Sequence, residues 1–463
     1  MEPWAIVAVG ATTVAGLLAP LQVNDLAYHV RVGEWMWAAH RVARTDMLTY
    51  TVFGQPWIDQ QWGAQLLLSL VYSAGGWKTL IVLRALVVGA CFGATFLIAR
   101  SNGSSALVAG VCTMAGFIAA ALVPGALALR PQLLALPLFV FAAWVIHSRA
   151  DHARRLFVLP LIAVVWANVH GSFPLLTVML LIALIQDVVT KAPKLRPILA
   201  LTIASILAPL LSPFGFGVYR YVWDVTTSPV VRQLITEWAP LYDRAIPGVA
   251  FLGLLLIGGV ACSRPGVRRP TIEEGLSLVL FTGLAAWSGR NILWWSVLVP
   301  PIVAGLLVDR YVGSAWSRRA TAVCVVLLSA GVCLGLSFVI TRPTASLLTE
   351  APPGVTTALA EMPSDQGRVF NEWWGSWFEF ALPDQLMFTD ARVEIFPSSI
   401  WRDYDTVVNA GPGWRDVLAR WNVSIVVLDS QHDVPITQAL AADPQWVRTF
   451  EDADGVIFQR VGA

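Results

Sequence analysis

Long apolar runs alternate with short polar loops over residues 1–341. Runs of about 16–24 apolar residues have the length that a helix needs to cross a bilayer. The segment from Trp62 to Gly75 is apolar but shorter, which favours an interfacial or re-entrant helix over a span. The pattern predicts eleven spans, at about 4–21, 79–99, 105–123, 126–147, 155–170, 173–188, 197–212, 247–263, 274–288, 291–309 and 320–341.

The loops between these runs predict an orientation in the membrane. Four short basic loops fall on one side of an eleven-span chain, and the positive-inside rule makes that side cytoplasmic. They are 148–155, 189–196, 264–273 and 310–319, and they include Lys194 and Arg310. The prediction is a multi-pass protein of a bacterial cytoplasmic membrane, with a cytoplasmic N-terminus and an extracytoplasmic C-terminal segment. The N-terminus lacks the pattern of a cleavable signal, so we expect the first run to be retained.

Composition separates the chain into two parts. It has 463 residues, 56% of them hydrophobic and 13% charged, whereas soluble domains carry about 25% charged residues. Residues 1–341 contain 23 Lys and Arg against 13 Asp and Glu, and residues 342–463 contain 8 against 17. The chain has no basic stripe with interleaved aromatic residues, so we expect no nucleic-acid partner. Its five cysteines lie in apolar runs, without metal or disulfide spacing.

These patterns predict an all-α polytopic membrane domain over 1–341, with a first outer loop at 22–78, and an extracytoplasmic α/β domain over 342–463. In the first outer loop, the pattern predicts an amphipathic helix over 30–39 lying on the outer leaflet, and a β-like stretch over 48–53. In the C-terminal domain it predicts strands at 368–370, 386–389 and 424–428, a helix at 436–442 and a hairpin over 447–459.

Asp25 and His29 follow the first apolar run directly. A spacing of four residues places both side chains on one face of a helix. Asp46 and Asp59 lie further along the same loop. A carboxylate can act as a general base toward a sugar hydroxyl, and an imidazole can bind a phosphate. The alternative is an interfacial loop whose charges are only solvated.

Four more ionisable residues fall on the outer side under the same count: Arg130, His170, Glu237 and Arg290. An arginine about one turn inside a span needs an anionic partner or a watery cavity. For Arg130, the partner is a lipid phosphate or, alternatively, Asp25 or Asp59. His170 would point at the outer cavity, and the alternative is a helix-cap histidine bonded to backbone. Arg290 is a second candidate for binding the phosphate, and the alternative is interfacial snorkelling of its side chain.

The C-terminal segment carries polar residues directly after two predicted strands. Asn371 and Glu372 follow one strand, and Asp390 and Arg392 follow the other. Turn chemistry and an Asp–Arg ion pair are the alternative to a site there. The chain contains no Walker loop, no dinucleotide-binding fingerprint, no Gly-x-Ser-x-Gly and no His-Glu-x-x-His.

The order of these motifs resembles a branch of the bacterial polytopic glycosyltransferases with the GT-C fold. The branch has Asp-x-x-x-His, here Asp25 and His29, then Arg-Thr-Asp at 44–46 and Pro-Trp-x-Asp-x-x-Trp at 56–62. Later motifs also match, and the likeness covers nearly the whole chain. They are Asn168-x-His170-Gly171-Ser172, Glu237-Trp238, Arg290-Asn291, Asn371-Glu372-x-x-Gly375 and Phe388-x-Asp390-x-Arg392.

The resemblance implies transfer of a sugar from a polyprenyl-phosphate donor to a glycan, lipid or protein acceptor of the cell envelope. It implies that Asp25 is the general base, with Asp46 and Asp59 as catalytic support or alternative bases. His29, Arg130, His170, Glu237 and Arg290 are then candidates for substrate binding. Many relatives have Glu where this chain has Gln61, and this departure favours no metal and no other cofactor. The alternatives are a non-catalytic protein of envelope assembly and a transporter of lipid-linked glycans.

Overall fold

A computed structural model describes residues 2–193, 195–307, 316–362, 367–429, 432 and 434–462. Lys194 and Arg310 of the predicted basic loops lie outside the described residues. The helices and strands up to residue 342 are α1 (Pro3–Leu18), β1 (Leu21–Gln22), α2 (Asn24–Ala39), α3 (Trp62–Gly75), α4 (Trp77–Ser101), α5 (Ala106–Ala121), α6 (Pro131–His147), α7 (Leu159–Ala167), α8 (Pro174–Val189), α9 (Leu195–Leu207), α10 (Gly217–Thr227), α11 (Pro229–Leu234), α12 (Ala245–Cys262), α13 (Ile272–Trp287), α14 (Ile292–Leu306) and α15 (Arg318–Thr341). The later elements are β2 (Leu348–Thr349), α16 (Pro353–Ala360), β3 (Arg368–Asn371), α17 (Gly375–Ala381), α18 (Ser398–Val408), α19 (Trp414–Arg420), β4 (Val423–Asp429), α20 (Val434–Ala441), β5 (Trp446–Glu451) and β6 (Gly455–Arg460).

Each of the eleven predicted apolar segments overlaps a helix, although α6 begins at Pro131 rather than 126 and α9 ends at Leu207 rather than 212. Residues 308 and 309 of the tenth segment lie outside the described residues. Among the described residues, α4, α12 and α15 are long and apolar enough to cross a membrane by themselves. Five shorter apolar helical segments accompany them: α1, α5, α6, α8 and Leu195–Leu211. The count of eleven spans and its orientation stay predictions.

The chain forms two compact units. Unit 1 comprises Met1–Ala19, Val71–Asp224 and Ile235–Arg342. Unit 2 comprises Pro20–Leu70, Val225–Leu234 and Pro343–Ala463, so it combines most of the predicted first outer loop with the C-terminal segment. Its last part begins one residue after the boundary between the two predicted domains. The parallel pairing of β1 with β2 joins two of its parts, with Leu21 opposite Leu348.

Unit 1 is a helical bundle in which α1 packs against α4 and α15, and α14 packs against α4 and α5. Small residues let α1 lie close to α4, since a Cβ on Gly16 would lie 2.7 Å from the Cα of Ala85. The buried guanidinium of Arg84 donates to the carbonyl oxygen of Gly16 at 2.9 Å and to that of Ala19. It therefore satisfies one carbonyl in the last turn of α1 and the carbonyl of the residue that follows the helix, and neither has a partner within the helix.

Unit 2 contains a four-stranded sheet in the order β3-β4-β6-β5, with β3 parallel to β4 and the other neighbours antiparallel. Successive side chains of a strand point to opposite faces. Phe370, Val426 and Phe458 pack in one core cluster, and Val369 and Ile425 pack in the other. Both faces of β4 are covered, which explains why its sequence is almost continuously apolar.

Two predicted strands are corrected by the structure. Residues 48–53 and 386–389 form no strand, and each contributes only to the isolated bridge between Thr49 and Met387. Val52 and Phe388 of these segments are buried because they pack into a core of unit 2, whereas Phe53 is exposed. The two segments pair with each other only at this bridge, where the N–H of Met387 donates to the Leu48 carbonyl and the N–H of Tyr50 donates to the Met387 carbonyl. The predicted helix over 30–39 is longer, because it begins at Asn24.

Candidate functional site

Asp25 and His29 lie in the first two turns of α2, on one face as their spacing predicts. Asp25 is half-buried in the first turn, and His29 is only 2% exposed. The His29 ring lies 4.0 Å from the ring of Tyr28, measured between centroids. A Cβ on Gly33 would collide with the carbonyl oxygen of Gln65, so this glycine lets α2 lie directly against the start of α3.

Asp46 is buried, and its carboxylate accepts four hydrogen bonds. The backbone N–H and hydroxyl of Thr49 donate to Oδ2 at 3.1 and 2.9 Å, and the N–H of Leu48 donates to Oδ1 at 3.4 Å. The Arg392 guanidinium donates to Oδ1 at 2.6 Å. This pattern is typical of an Asp that holds a turn.

Asp59 is buried just before α3 and differs from Asp46 in its partners. Its Oδ1 accepts a hydrogen bond from Gln65 Nε2 at 2.8 Å. Its Oδ2 is buried and has no hydrogen-bond partner among the described residues. Burial raises the pKa of Asp59 to about 8, with Arg392 acting in the opposite direction. A carboxyl group with this pKa carries its proton in most of the population at neutral pH.

Arg392 is the centre of a buried cluster in unit 2 whose extent the sequence did not predict. It is 1% exposed and pairs with both Asp390 and Asp46. The Asp390–Arg392 ion pair agrees with the alternative to a site that the sequence predicts here. Burial and the neighbouring Asp390 raise the pKa of Glu379 well above its usual range, and Arg392 acts in the opposite direction. The spacing Asp-x-Arg was the available signal, but nothing in the sequence connects it to Asp46.

Arg130 and Glu237 form an ion pair in unit 1, with Nη1 and Oε1 2.5 Å apart. Arg130 stands directly before α6, and Glu237 lies in a short 3-10 helix after α11. The position of Arg130 in the sequence predicts an anionic partner, for which Asp25, Asp59 and a lipid phosphate are the candidates. The structure places Glu237 in that role.

Arg290 and His170 present two hydrogen-bond donors close together in unit 1. The backbone N–H of Ser172 donates to His170 Nδ1 at 3.1 Å, so the neutral ring carries its hydrogen on Nε2. That Nε2 lies 3.4 Å from Nη2 of Arg290. Gln132 orients Arg290, because its Oε1 accepts from Nε at 3.1 Å and its Nε2 donates to the Arg290 carbonyl at 3.0 Å. One anionic oxygen could accept hydrogen bonds from both donors.

The eight predicted site residues thus fall into two groups. Asp25, His29, Asp46 and Asp59 belong to unit 2. Arg130, His170, Glu237 and Arg290 belong to unit 1. The described residues contain no group of three or more His, Cys, Asp or Glu side chains arranged to hold a metal ion. Independence from metal stays a prediction.

Comparison with solved structures identifies the fold. The oligosaccharyltransferase of Archaeoglobus fulgidus has a TM-score of 0.57 at 13% identity, covering 92% of this chain and 69% of that protein. The arabinofuranosyltransferase AftD from Mycobacteria has a TM-score of 0.59 at 14% identity, covering 99% of this chain. This chain spans only 42% of the length of AftD.

ArnT from Cupriavidus metallidurans, bound to undecaprenyl phosphate, is similar over its whole length. The TM-score is 0.56 at 14% identity, covering 99% of this chain and 98% of ArnT. No protein-family model matches the chain, and no curated protein is similar to it in sequence. The three solved structures have the GT-C fold, so the predicted resemblance is confirmed for the fold, which is that of an integral membrane protein.

Proposed function

We propose that this chain is a membrane glycosyltransferase that moves a sugar from a polyprenyl-phosphate donor to a glycan, lipid or protein acceptor of the cell envelope. The reaction takes place at the outer face, with Asp25 as general base. The observation that carries the proposal is the likeness to ArnT bound to undecaprenyl phosphate, which extends over 99% of this chain.

The proposed reaction needs one base and a site for one anion. A carboxylate takes the proton from the acceptor hydroxyl, and the acceptor oxygen attacks the anomeric carbon of the donor sugar. The bond between that carbon and the phosphate oxygen breaks, and polyprenyl phosphate leaves with the electron pair. Since the leaving group is already an anion, it needs hydrogen-bond donors more than a general acid.

The donors of Arg290 and His170 support binding of that phosphate. The guanidinium and the imidazole N–H can both donate to one phosphate oxygen, and charge-assisted hydrogen bonds of this kind are strong. Arg290 is bonded to the neutral Gln132 side chain, so its positive charge is not cancelled by that partner. Arg130 is paired with Glu237, and we assign this pair the role of holding the two segments of unit 1.

The surroundings of the three aspartates favour Asp25 as the base. All four hydrogen bonds to Asp46 come from within unit 2, which leaves its carboxylate a structural role. Asp59 is 2% exposed, whereas Asp25 is half-buried at the start of α2. A base must reach the acceptor hydroxyl, so partial exposure is an advantage. Asp59 is the alternative base.

The test is sugar transfer by the full-length protein in nanodiscs, supplied with a panel of undecaprenyl-phosphate sugars and envelope extracts as acceptors. We expect Asp25→Asn to lower kcat by about 10²–10⁴-fold, because the amide cannot accept the proton. Asp384→Asn is the matched control, since Asp384 is an exposed carboxylate of the same unit. Its kcat should equal that of the wild type.

Full transfer by Asp25→Asn would remove Asp25 from the mechanism. A transporter would be favoured instead if the wild type moved a labelled undecaprenyl-phosphate sugar between leaflets and transferred no sugar. Thermal unfolding of both variants excludes a folding defect as the cause of lost transfer.

A further inference from the structure

A single guanidinium in unit 2 contacts each of the three segments that carry the candidate carboxylates. Arg392 Cζ lies 5.7 Å from the centroid of the Tyr28 ring in α2 and 4.5 Å from that of Trp57. Its Nη2 donates to Asp46 Oδ1 at 2.6 Å. Tyr28, Asp46 and Trp57 belong to three separate stretches of Pro20–Leu70.

These contacts lie close in sequence to the proposed chemistry. Tyr28 is three residues after Asp25 and directly precedes His29, so it shares the first turns of α2 with both. Trp57 lies two residues before Asp59. A shift of the guanidinium would therefore be passed to the segments of all three aspartates.

Only an arginine fits these contacts. A guanidinium is planar, so it can stack on Trp57 while its N–H groups donate in the plane to two carboxylates. Arg392 donates to Asp390 through both Nε and Nη2, which orients it, and to Asp46 through Nη2 as well. An ammonium group has neither the plane nor the spread of donors. Lysine would keep the charge at this position but lose part of the geometry.

We propose that Arg392 is a positioning residue of the transferase, and that it holds the segments of Asp25, Asp46 and Asp59 in one fixed arrangement. This rests on the proposed function. A positioning role differs from that of an ion pair that serves stability alone, because such a pair would not affect turnover in a protein that remains folded. The clamp formed by Arg392, Tyr28, Asp46 and Trp57 is testable with and without an activity assay.

The first experiment measures hydrogen exchange of the full-length protein in nanodiscs. In Arg392→Lys we expect backbone amides of residues 44–59 to exchange about tenfold faster, because local opening breaks fewer contacts. Arg415→Lys is the matched control. Arg415 likewise pairs with an aspartate, Asp443, and stacks on a tryptophan, Trp414, at 4.5 Å, but it is more exposed. Its replacement should leave 44–59 unchanged.

The second experiment measures transfer kinetics of the same variants. We expect Arg392→Lys to lower kcat about 100-fold with KM for the donor within about twofold, since misplacing a reacting group affects turnover more than binding. Asp46→Asn/Arg392→Lys should lose no more than Arg392→Lys alone, because the two side chains act as one unit. Arg415→Lys should keep the wild-type kcat.

Unchanged exchange at 44–59 in folded Arg392→Lys would overturn the clamp. Faster exchange with unchanged kcat would overturn the positioning role. If the wild type transfers no sugar under any condition, the proposed function fails and the catalytic role of Arg392 fails with it. The exchange result still decides whether the guanidinium holds the segments of Asp46 and Asp59.

Discussion

Each unit contains an arginine of interest, and the partners of these two arginines differ in charge. Arg290 in unit 1 is half-buried, and its described polar neighbours are the neutral side chain of Gln132 and the ring of His170. Arg392 in unit 2 is 1% exposed and pairs with two carboxylates. A cation bonded to neutral groups keeps its attraction for an external anion, whereas a cation paired with carboxylates is already neutralised. The first arrangement suits binding, and the second suits holding a structure.

Unit 1 contains an internal example of the second arrangement. Arg130 lies in the same unit as Arg290 but is paired with Glu237 at 2.5 Å. The type of an ionisable residue and its predicted depth in the membrane are therefore not enough to assign its role. What separates Arg290 from Arg130 is the charge of the nearest partner.

The sharpest test of this comparison is the stability of matched variants. We expect Arg392→Met to lower the free energy of unfolding by about 3–5 kcal/mol, because Asp46 and Asp390 would become buried charges without their partner. Arg290→Met should cost far less, since it leaves only neutral partners. Unfolding in detergent, followed by intrinsic tryptophan fluorescence over a denaturant series, measures both. Equal losses in the two variants would contradict the distinction.

A smaller effect is expected on binding of the lipid carrier. Arg290→Gln should weaken the binding of undecaprenyl phosphate by about 10–100-fold. This corresponds to the loss of charge-assisted hydrogen bonds worth about 1.5–3 kcal/mol. Native mass spectrometry of the protein titrated with undecaprenyl phosphate measures the affinity. Arg220→Gln is the control, because Arg220 lies in unit 1, is exposed and pairs with Asp224. If Arg220→Gln weakens binding as much as Arg290→Gln, nonspecific charge explains the affinity.

A pH dependence of stability is the effect expected from Asp59. Its pKa in the folded protein is about 8, above the ordinary value of 3.8, so the unfolded chain loses this proton first as pH rises. Stability should therefore fall between about pH 4 and pH 8, by at most about 1.4 kcal/mol per pH unit. Asp59→Asn removes this contribution. Its Tm should decrease less than that of the wild type from pH 5 to pH 8, and parallel curves would argue against the raised pKa.

The sequence predicted most of the helical architecture because hydrophobic length is a local property. Each apolar run became a helix, and the short segment Trp62–Gly75 became a 14-residue helix. In the C-terminal segment, the buried strand β4 and the hairpin of β5 and β6 were also predicted. Residues 48–53 and 386–389 were wrong as strands, since β propensity in a short segment does not specify how far its backbone pairs, and these two meet only at the bridge between Thr49 and Met387.

The candidate site was predicted as a set of residues but not as a set of contacts. Asp46 was placed among the candidate bases, and nothing local revealed that Thr49 and Arg392 would occupy its oxygens. Arg130 was expected to need an anion, and Glu237, 107 residues later, was predicted for another role. Residue type indicates what a side chain can do, whereas its partners decide what it does.

The amino-acid sequence by itself determined where the helices lie, which segments are acidic or basic, and which ionisable residues need an explanation near a membrane. These properties follow from composition and spacing over a few turns of chain. Only the tertiary structure decided that Arg392 meets Asp46, which is 346 positions away, and that Arg290 faces an imidazole rather than a carboxylate. Charge pairing acts over a few ångströms in space, and separation along the chain carries no information about that distance.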